Sequence, residues 1–405
     1  LNSLTSSLDP IKEPGKNQTG AIILALILLT GSVLLWDVTH QKISIDEAES
    51  PTSASGSGEW LIWIEDSGQE ISITATNVIS KTNRTLGGMT WESQPQVVSS
   101  GNSFVVYDEF RVDYFRHDSE AGILEPIFSE YSAESLIDIS ISSSSINTGY
   151  IAMLSNESLR IVDTSDQSTR ILESVPNSSV VASSGPLVAF SANTPSGPTV
   201  NITSADSDLT LTILLDPRSS EGIEESIRNS GTLLDFGNST IVELVMDSNW
   251  LVATVDVGPF NRTIMVDTSS INQTLISNPR WDSSSPSIGE GKVAFLQVTR
   301  DSIISTSQDS LRNNDVYVYY IESAETRQHT FDDDVDQFQP QILQDRLAWI
   351  EVNDQGEKQL LVYSFIDTIE PRNSLLLQAS ILAMIPLIFL WTLQSYGAKI
   401  VTQRV

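Results

Sequence analysis

Few side chains in this sequence have both the type and the spacing to do chemistry. The densest set of oxygen donors is Asp332-Asp-Asp-Val-Asp336, where Asp332, Asp333, Asp334 and Asp336 crowd four carboxylates into five residues. Clustered carboxylates can hold Ca2+, but this run lacks the glycine and the distal glutamate of a Ca2+ loop. A solvated acidic turn is the competing reading. Histidine occurs only at His40, His117 and His329, in three separate stretches, so a histidine metal site or triad is not expected and each is read as a surface residue. There is no cysteine, which excludes disulfides, thiolate nucleophiles and thiolate metal sites. No Gly-x-Ser-x-Gly elbow, phosphate loop or dinucleotide fingerprint is present. The expectation is a chain with no catalytic residues, no cofactor beyond that Ca2+ candidate, and a non-enzymatic role.

Charge narrows the partners. The chain has 52 acidic and 22 basic residues, a formal charge of -30, spread along its length. With no basic stripe to neutralise phosphates, nucleic acid is excluded as a partner. Adhesion to anionic lipid is disfavoured for the same reason. Such a surface suits a high-salt or archaeal-type exterior, where net charge keeps a protein soluble.

Two apolar stretches flank the chain. Residues 19–38 read TGAIILALILLTGSVLLWDV, and residues 374–396 read SLLLQASILAMIPLIFLWTLQSY. About 20 apolar residues cross a bilayer as helix, so both are expected transmembrane helices, with Pro386 kinking the second. Trp36, Trp391 and Tyr396 sit at their ends, where amphipathic rings prefer the interface. Lys12, Lys16, Lys399 and Arg404 lie on the outer flanks and acids dominate the inner ones, placing both termini in the cytoplasm and the middle outside. A cleaved signal peptide is the alternative for the first stretch. The sequons at Asn83, Asn156, Asn177, Asn201, Asn238, Asn261 and Asn272 fall in the middle, the expected glycosylation sites of an extracytoplasmic domain, while Asn17 also matches but lies in the expected cytoplasmic tail.

What must position any site is a repeat. A small residue or proline, a turn, and a compact apolar strand recur as Glu59-Trp-Leu-Ile-Trp-Ile64, Gln94–Tyr107, Asn147–Met153, Ser184–Phe190 and Asp247–Thr254. The clearest pair is Ser285-Pro-Ser-Ile-Gly-Glu-Gly-Lys-Val-Ala-Phe295 and Gln339-Pro-Gln-Ile-Leu-Gln-Asp-Arg-Leu-Ala-Trp349. Second strands follow at Leu159–Asp163, Thr263–Asp267, Asp315–Tyr320 and Gln359–Tyr363, and third ones at Thr169–Leu172, Gln273–Ile276 and Thr326–Thr330. β-branched and aromatic residues in alternation say strand. Four strands per unit, seven times, predict an all-β, seven-bladed β-propeller, because a ring lets each unit bury its apolar face on its neighbours. The last unit lacks an outer strand, and Lys42–Ile45 is expected to supply it. The expected layout is a cytoplasmic tail at 1–18, a helix at 19–38, a linker and closing strand at 39–58, the propeller at 59–370, a helix at 374–396 and a tail at 397–405. Within it, Glu47–Gly58 reads as a flexible tether rich in Ser, Gly and acids. Residues 216–231 read as a surface loop or a partner-touching protrusion, with Ser220 capping a short helix.

The repeats carried by Ser285–Phe295, Asp315–Tyr319, Thr326–Thr330 and Gln339–Trp349 resemble the TolB-type propeller repeats of cell-surface and periplasmic proteins. The resemblance spans roughly residues 59–366, although the usual Ser-Pro-Asp-Gly turn is degraded. It implies a propeller fold, akin to WD40-like repeats, and a habit of protein binding, not a reaction. The function expected is a membrane-anchored binding or scaffolding module of the cell envelope, with an unknown envelope protein or glycan as partner. The alternatives are a carboxylate-dependent hydrolase acting on glycan or peptide at the propeller mouth, told apart by convergent acids with shifted pKa, and a structural anchor of a surface layer or membrane complex.

Overall fold

The computed structural model describes residues 43–44, 51–66, 71–89, 91, 93–116, 126–132, 134–143, 149–155, 158–173, 175, 178–194, 196–216, 239–257, 260–279, 281–298, 314–330, 335–353 and 355–365. The two apolar flanking segments, and residues 217–231, lie outside them. Among the described residues every regular element is a strand, and no helix is long and apolar enough to cross a membrane.

The strands form seven sheets of four. After β1 (Ile43–Ser44), the first sheet is β2 (Pro51–Ser57), β3 (Trp60–Asp66), β4 (Ile71–Asn77) and β5 (Thr82–Met89). The second is β6 (Gln96–Ser100), β7 (Ser103–Tyr107), β8 (Arg111–Arg116) and β9 (Pro126–Tyr131). The third is β10 (Leu136–Ser143), β11 (Gly149–Ser155), β12 (Ser158–Asp163) and β13 (Thr169–Glu173). The fourth is β14 (Val181–Ser184), β15 (Leu187–Thr194), β16 (Gly197–Ser204) and β17 (Ser207–Leu214). The fifth is β18 (Thr240–Asp247), β19 (Trp250–Asp256), β20 (Asn261–Asp267) and β21 (Asn272–Leu275). The sixth is β22 (Ser283–Gly289), β23 (Lys292–Val298), β24 (Asn314–Tyr320) and β25 (Glu325–Gln328). The seventh takes β26 (Val335–Ile342), β27 (Arg346–Asn353) and β28 (Lys358–Ser364) from one end of the chain and β1 from the other. All pairings in these sheets are antiparallel. The first strand of each sheet packs on the first strand of the next, and β26 packs on β2, so the ring closes as a seven-bladed β-propeller.

The core is shared out between blades, which is why a repeat of modest units is stable. Leu61 and Trp63 of the first blade bury against Leu343, Ala348, Ile350, Leu360 and Val362 of the seventh. Ile62, Ile64 and Ile73 face the other way, onto Phe104, Val106 and Phe115 of the second blade. Alternation thus sends successive residues of one strand into two different interfaces. Each fully buried side chain of this size contributes roughly 1.5–3 kcal/mol.

The closing strand is Ile43–Ser44, inside the segment expected to supply it, paired as Ile43 with Val362 and Ser44 with Leu361. The tether reading is corrected: residues 51–57 are not a linker but β2, the innermost strand of the first blade, so that blade begins at Pro51 and not at 59. Small residues there answer crowding rather than flexibility. A Cβ on Gly56 would lie 2.5 Å from Leu343 Cδ2.

Candidate ligand channel

The innermost strands surround a cavity of about 470 Å3 on the propeller axis. Each of these strands is a sheet edge, so its outer N–H groups lack a strand partner and need another acceptor. The sequence supplies it from the preceding blade. Ser53, Ser55 and Ser57 Oγ accept the N–H groups of Val97, Ser99 and Gly101 at 3.4, 2.9 and 2.7 Å. Ser100 Oγ accepts Ser143 N–H at 3.0 Å, and Asp138 Oδ2 accepts Val181 N–H at 2.8 Å. Ser184 Oγ accepts Ser248 N–H at 2.7 Å, and Glu243 Oε2 accepts Ser285 N–H at 2.7 Å. Ser287 Oγ accepts Ile342 N–H at 3.1 Å. Gln339 and Gln341 close the circle onto the N–H groups of Ala54 and Gly56 at 2.9 and 3.2 Å. Every junction between blades therefore carries a side-chain-to-backbone bond around the channel.

A backbone irregularity aims many of these side chains. The register shifts between Pro51 and Ser53, Leu136 and Asp138, Ile241 and Glu243, Ser284 and Ser287, and Phe338 and Gln341. The first paired residue after each shift is Ser53, Asp138, Glu243, Ser287 or Gln341, each a capping residue. A bulge bends the strand and redirects the following side chain. In the last two blades the bulge holds a proline preceded by a left-handed residue, Ser285 at φ 52 and Gln339 at φ 47. That is the structural content of the Ser-Pro and Gln-Pro repeats.

Two caps are half-buried carboxylates. Burial pushes the Asp138 carboxyl up to about 7, against the lowering effect of the Val181 and Ile139 N–H bonds. Burial also raises Glu243, opposed by the bond from the Ser285 N–H. Tyr107 is raised by burial and then by the charge of Asp138, and its hydroxyl donates to Gln96 Oε1 at 2.8 Å. Along the rest of the channel wall lie Ser99, Ser140, Ser142 and Ser183, and hydroxyls meet across junctions as Ser55 with Ser99 and Ser140 with Ser183, both at 2.9 Å.

The structure disperses the residues singled out in the sequence. Asp332, Asp333 and Asp334 lie outside the described residues, and Asp336 spends Oδ1 on the Asn314 N–H at 3.0 Å, at the start of a strand. Among the described residues no three His, Asp or Glu side chains gather as metal ligands. His40 and His117 lie outside the described residues. His329 is not the surface residue expected: it is half-buried against Tyr320, its Nε2 3.1 Å from the hydroxyl, and burial, then Arg327, pushes it down to about 4. Of the sequons, Asn83 and Asn272 are exposed, Asn201 and Asn261 are half-buried, and Asn156, Asn177 and Asn238 lie outside the described residues. Sequence reasoning missed Asp138 and Glu243. Their role depends on a bulge and on the neighbouring blade, so no local signal in the sequence marks them.

No family model and no curated protein matches the chain. Solved structures do. The β-propeller domain of Cps50 (Swd1) from Myceliophteria thermophila aligns at 12% identity and TM-score 0.51, over 80% of this chain and 98% of that one. The β-propeller domain of the Trilobed protease from Pyrococcus furiosus, described as having an open velcro topology, aligns at 10% identity and TM-score 0.52, over 80% and 97%. The tricorn protease aligns at 16% identity and TM-score 0.41 over 75% of this chain, which spans only 28% of that protein. At these identities the likeness is one of fold.

Proposed function

We propose that this chain is a membrane-tethered, extracytoplasmic binding module whose axial channel receives the ligand. The observation that carries this reading is the channel wall. Its capping carboxylates already accept backbone N–H bonds, and Ser hydroxyls and Gln amides make up much of the remaining polar surface, so the wall holds a shape and offers hydrogen bonds. A carboxylate-dependent hydrolase is the second reading, favoured by the Asp138 carboxyl at about 7. Both Asp138 oxygens are engaged, by Val181 and by Ile139 at 2.8 and 2.9 Å, which leaves that group poorly placed for proton transfer.

The tether rests on the apolar segments 19–38 and 374–396. The pairing of Ile43 with Val362 is compatible with it, since the strands that follow the first segment and precede the second in sequence meet in one sheet. With both termini cytoplasmic, the exposed Asn83 and Asn272 are the sequons best placed to carry glycan.

Because the chain has no cysteine, single cysteines report topology cleanly. Asn272→Cys should react with an impermeant maleimide on intact cells, and Ser3→Cys only after lysis; the reverse pattern overturns the orientation. For the binding role, the detergent-solubilised full chain is purified and its retained molecules identified by mass spectrometry, beside a channel-filling Ser140→Phe variant with an unchanged melting curve. Loss of a retained molecule in the variant is expected. Identical retention by both sinks the channel as the site.

A further inference from the structure

We infer that the channel is selective for a slender linear cation of the polyamine class, an inference that rests on the channel being the ligand site. The channel wall contains Asp138, Asp247 and Glu290 and no Lys, Arg or His. It also contains no aromatic ring, so neither an anion nor a flat apolar ligand finds a complementary surface. What it offers between the acids is Ser hydroxyl and Gln amide oxygen, which accept hydrogen bonds from ammonium groups.

The acids are set apart along the axis. Asp138 is near the start of β10, whereas Asp247 ends β18 and Glu290 follows the last residue of β22. The wall runs over six residues of β10, Asp138–Ser143, which at about 3.4 Å per residue is about 17 Å. A cavity of about 470 Å3 extending along that length accommodates an extended methylene chain together with water. A ligand with amines at both ends matches the separated carboxylates, and burial strengthens each pairing.

Asp138 and Glu243 also explain why carboxylates persist at junctions where serine suffices elsewhere. Their charge adds to the negative potential of the channel even while their oxygens cap the next blade. Binding an ammonium beside Asp138 should draw its pKa down and release a proton at pH near 7.

The experiment is calorimetric titration of the detergent-solubilised full chain at physiological salt, which screens the acidic exterior. The probes are spermine, a series of linear diamines from four to twelve carbons, and citrate. Spermine should bind at about one per chain, affinity should rise with diamine length, and citrate should not bind. The Asp247→Asn/Glu290→Gln variant should weaken spermine at least tenfold, whereas Asp163→Asn/Asp166→Asn, on an outer turn, should change nothing. In two buffers of different ionisation enthalpy, wild type should show proton release at pH 7 and Asp138→Asn should not. Equal weakening by both double variants, no length dependence, or no binding overturns the inference. If spermine fails while another molecule is retained in a channel-dependent way, the binding role stands and the cation class falls.

Discussion

β2 and β17 are both edge strands of their sheets, one lining the channel and the other facing outward. β2 reads Pro-Thr-Ser-Ala-Ser-Gly-Ser, and its edge is occupied: Gln339 and Gln341 reach in from the seventh blade while Ser53, Ser55 and Ser57 reach out to the second. β17 carries Leu209, 82% exposed, with Leu211 and Leu214 also exposed. Gln273 of the fifth blade bonds the end of β17, donating to Leu214 O and accepting from Asp216 N–H, both at 2.8 Å. The inner edge is guarded not by solvent-facing charges but by Ser, Gln, Asp and Glu side chains of the preceding blade, which accept its N–H groups. Structural information is thus concentrated inside, and tolerance outside.

The sharpest way to break this contrast is to add volume at each edge. Gly56→Leu drives a side chain into Leu343 Cδ2 and Gln341 Cβ, at 2.5 and 3.3 Å from a bare Cβ, across the closing junction. Overpacking there should cost about 3 kcal/mol. Leu209→Ser on the outer edge should stay within about 0.5 kcal/mol. Urea unfolding of the two variants in parallel gives the comparison, and equal losses would refute it.

Next in size is the loss of a cap. Ser55→Ala removes only the hydroxyl and strands the Ser99 N–H and the Ser99 hydroxyl, both held by Ser55 at 2.9 Å. The expected loss is about 1–3 kcal/mol, softened where channel water reaches the group. A Thr210→Val change on β17 should be near neutral. Thermal melts of both decide whether the ring of caps matters to stability.

The carboxylate cap sharpens the picture through pH. The folded Asp138 carboxyl, at about 7, lies above its unfolded value of about 3.9. Its folded state therefore holds the proton more tightly, and its contribution to stability falls as pH rises from about 4 to about 7. Above that range the cost of the buried charge is fully present. Asp138→Asn, a mimic of the protonated form, should flatten this part of the profile and raise stability by roughly 1–2 kcal/mol at pH 8, with little change at pH 4. Unfolding at both pH values tests it; parallel profiles would show that the charge is compensated in place.

The same contrast governs what could be seen in the sequence. The second and third strands of each blade are buried on both faces, as in Trp60–Asp66 and Asn314–Tyr320, and their apolar runs are legible. Inner strands such as Pro51–Ser57 are small and polar because the axis is crowded and their edges need acceptors, a pattern that in one sequence looks like a linker. The repeat still showed the closing segment, since a seventh blade short of a strand demands one. The channel acids were invisible because capping depends on a bulge and on the neighbouring blade, neither of which is local in sequence.

The smallest effect belongs to the outer turns. Third and fourth strands are joined by one recurring turn, with left-handed residues Lys81, Gln167, Ile271 and Ala324 at φ 56, 60, 60 and 53. Asn77, Asp163 and Asp267 carbonyls accept the N–H of the first three at 2.8, 2.9 and 2.7 Å. A β-branched residue is the worst fit for this conformation, and Asn fits it well. Ile271 is 49% exposed, so little burial is lost on replacing it. Ile271→Asn should therefore stabilise by about 0.5–1 kcal/mol, with a smaller gain for Lys81→Asn, whose side chain is unbranched at Cβ. Melting curves should order the variants that way and spermine titration should be unchanged in both. A loss of stability in Ile271→Asn would mean that the outer turn is packed more tightly than its exposure implies, and the division between a specified interior and a tolerant exterior would have to be redrawn at the turns.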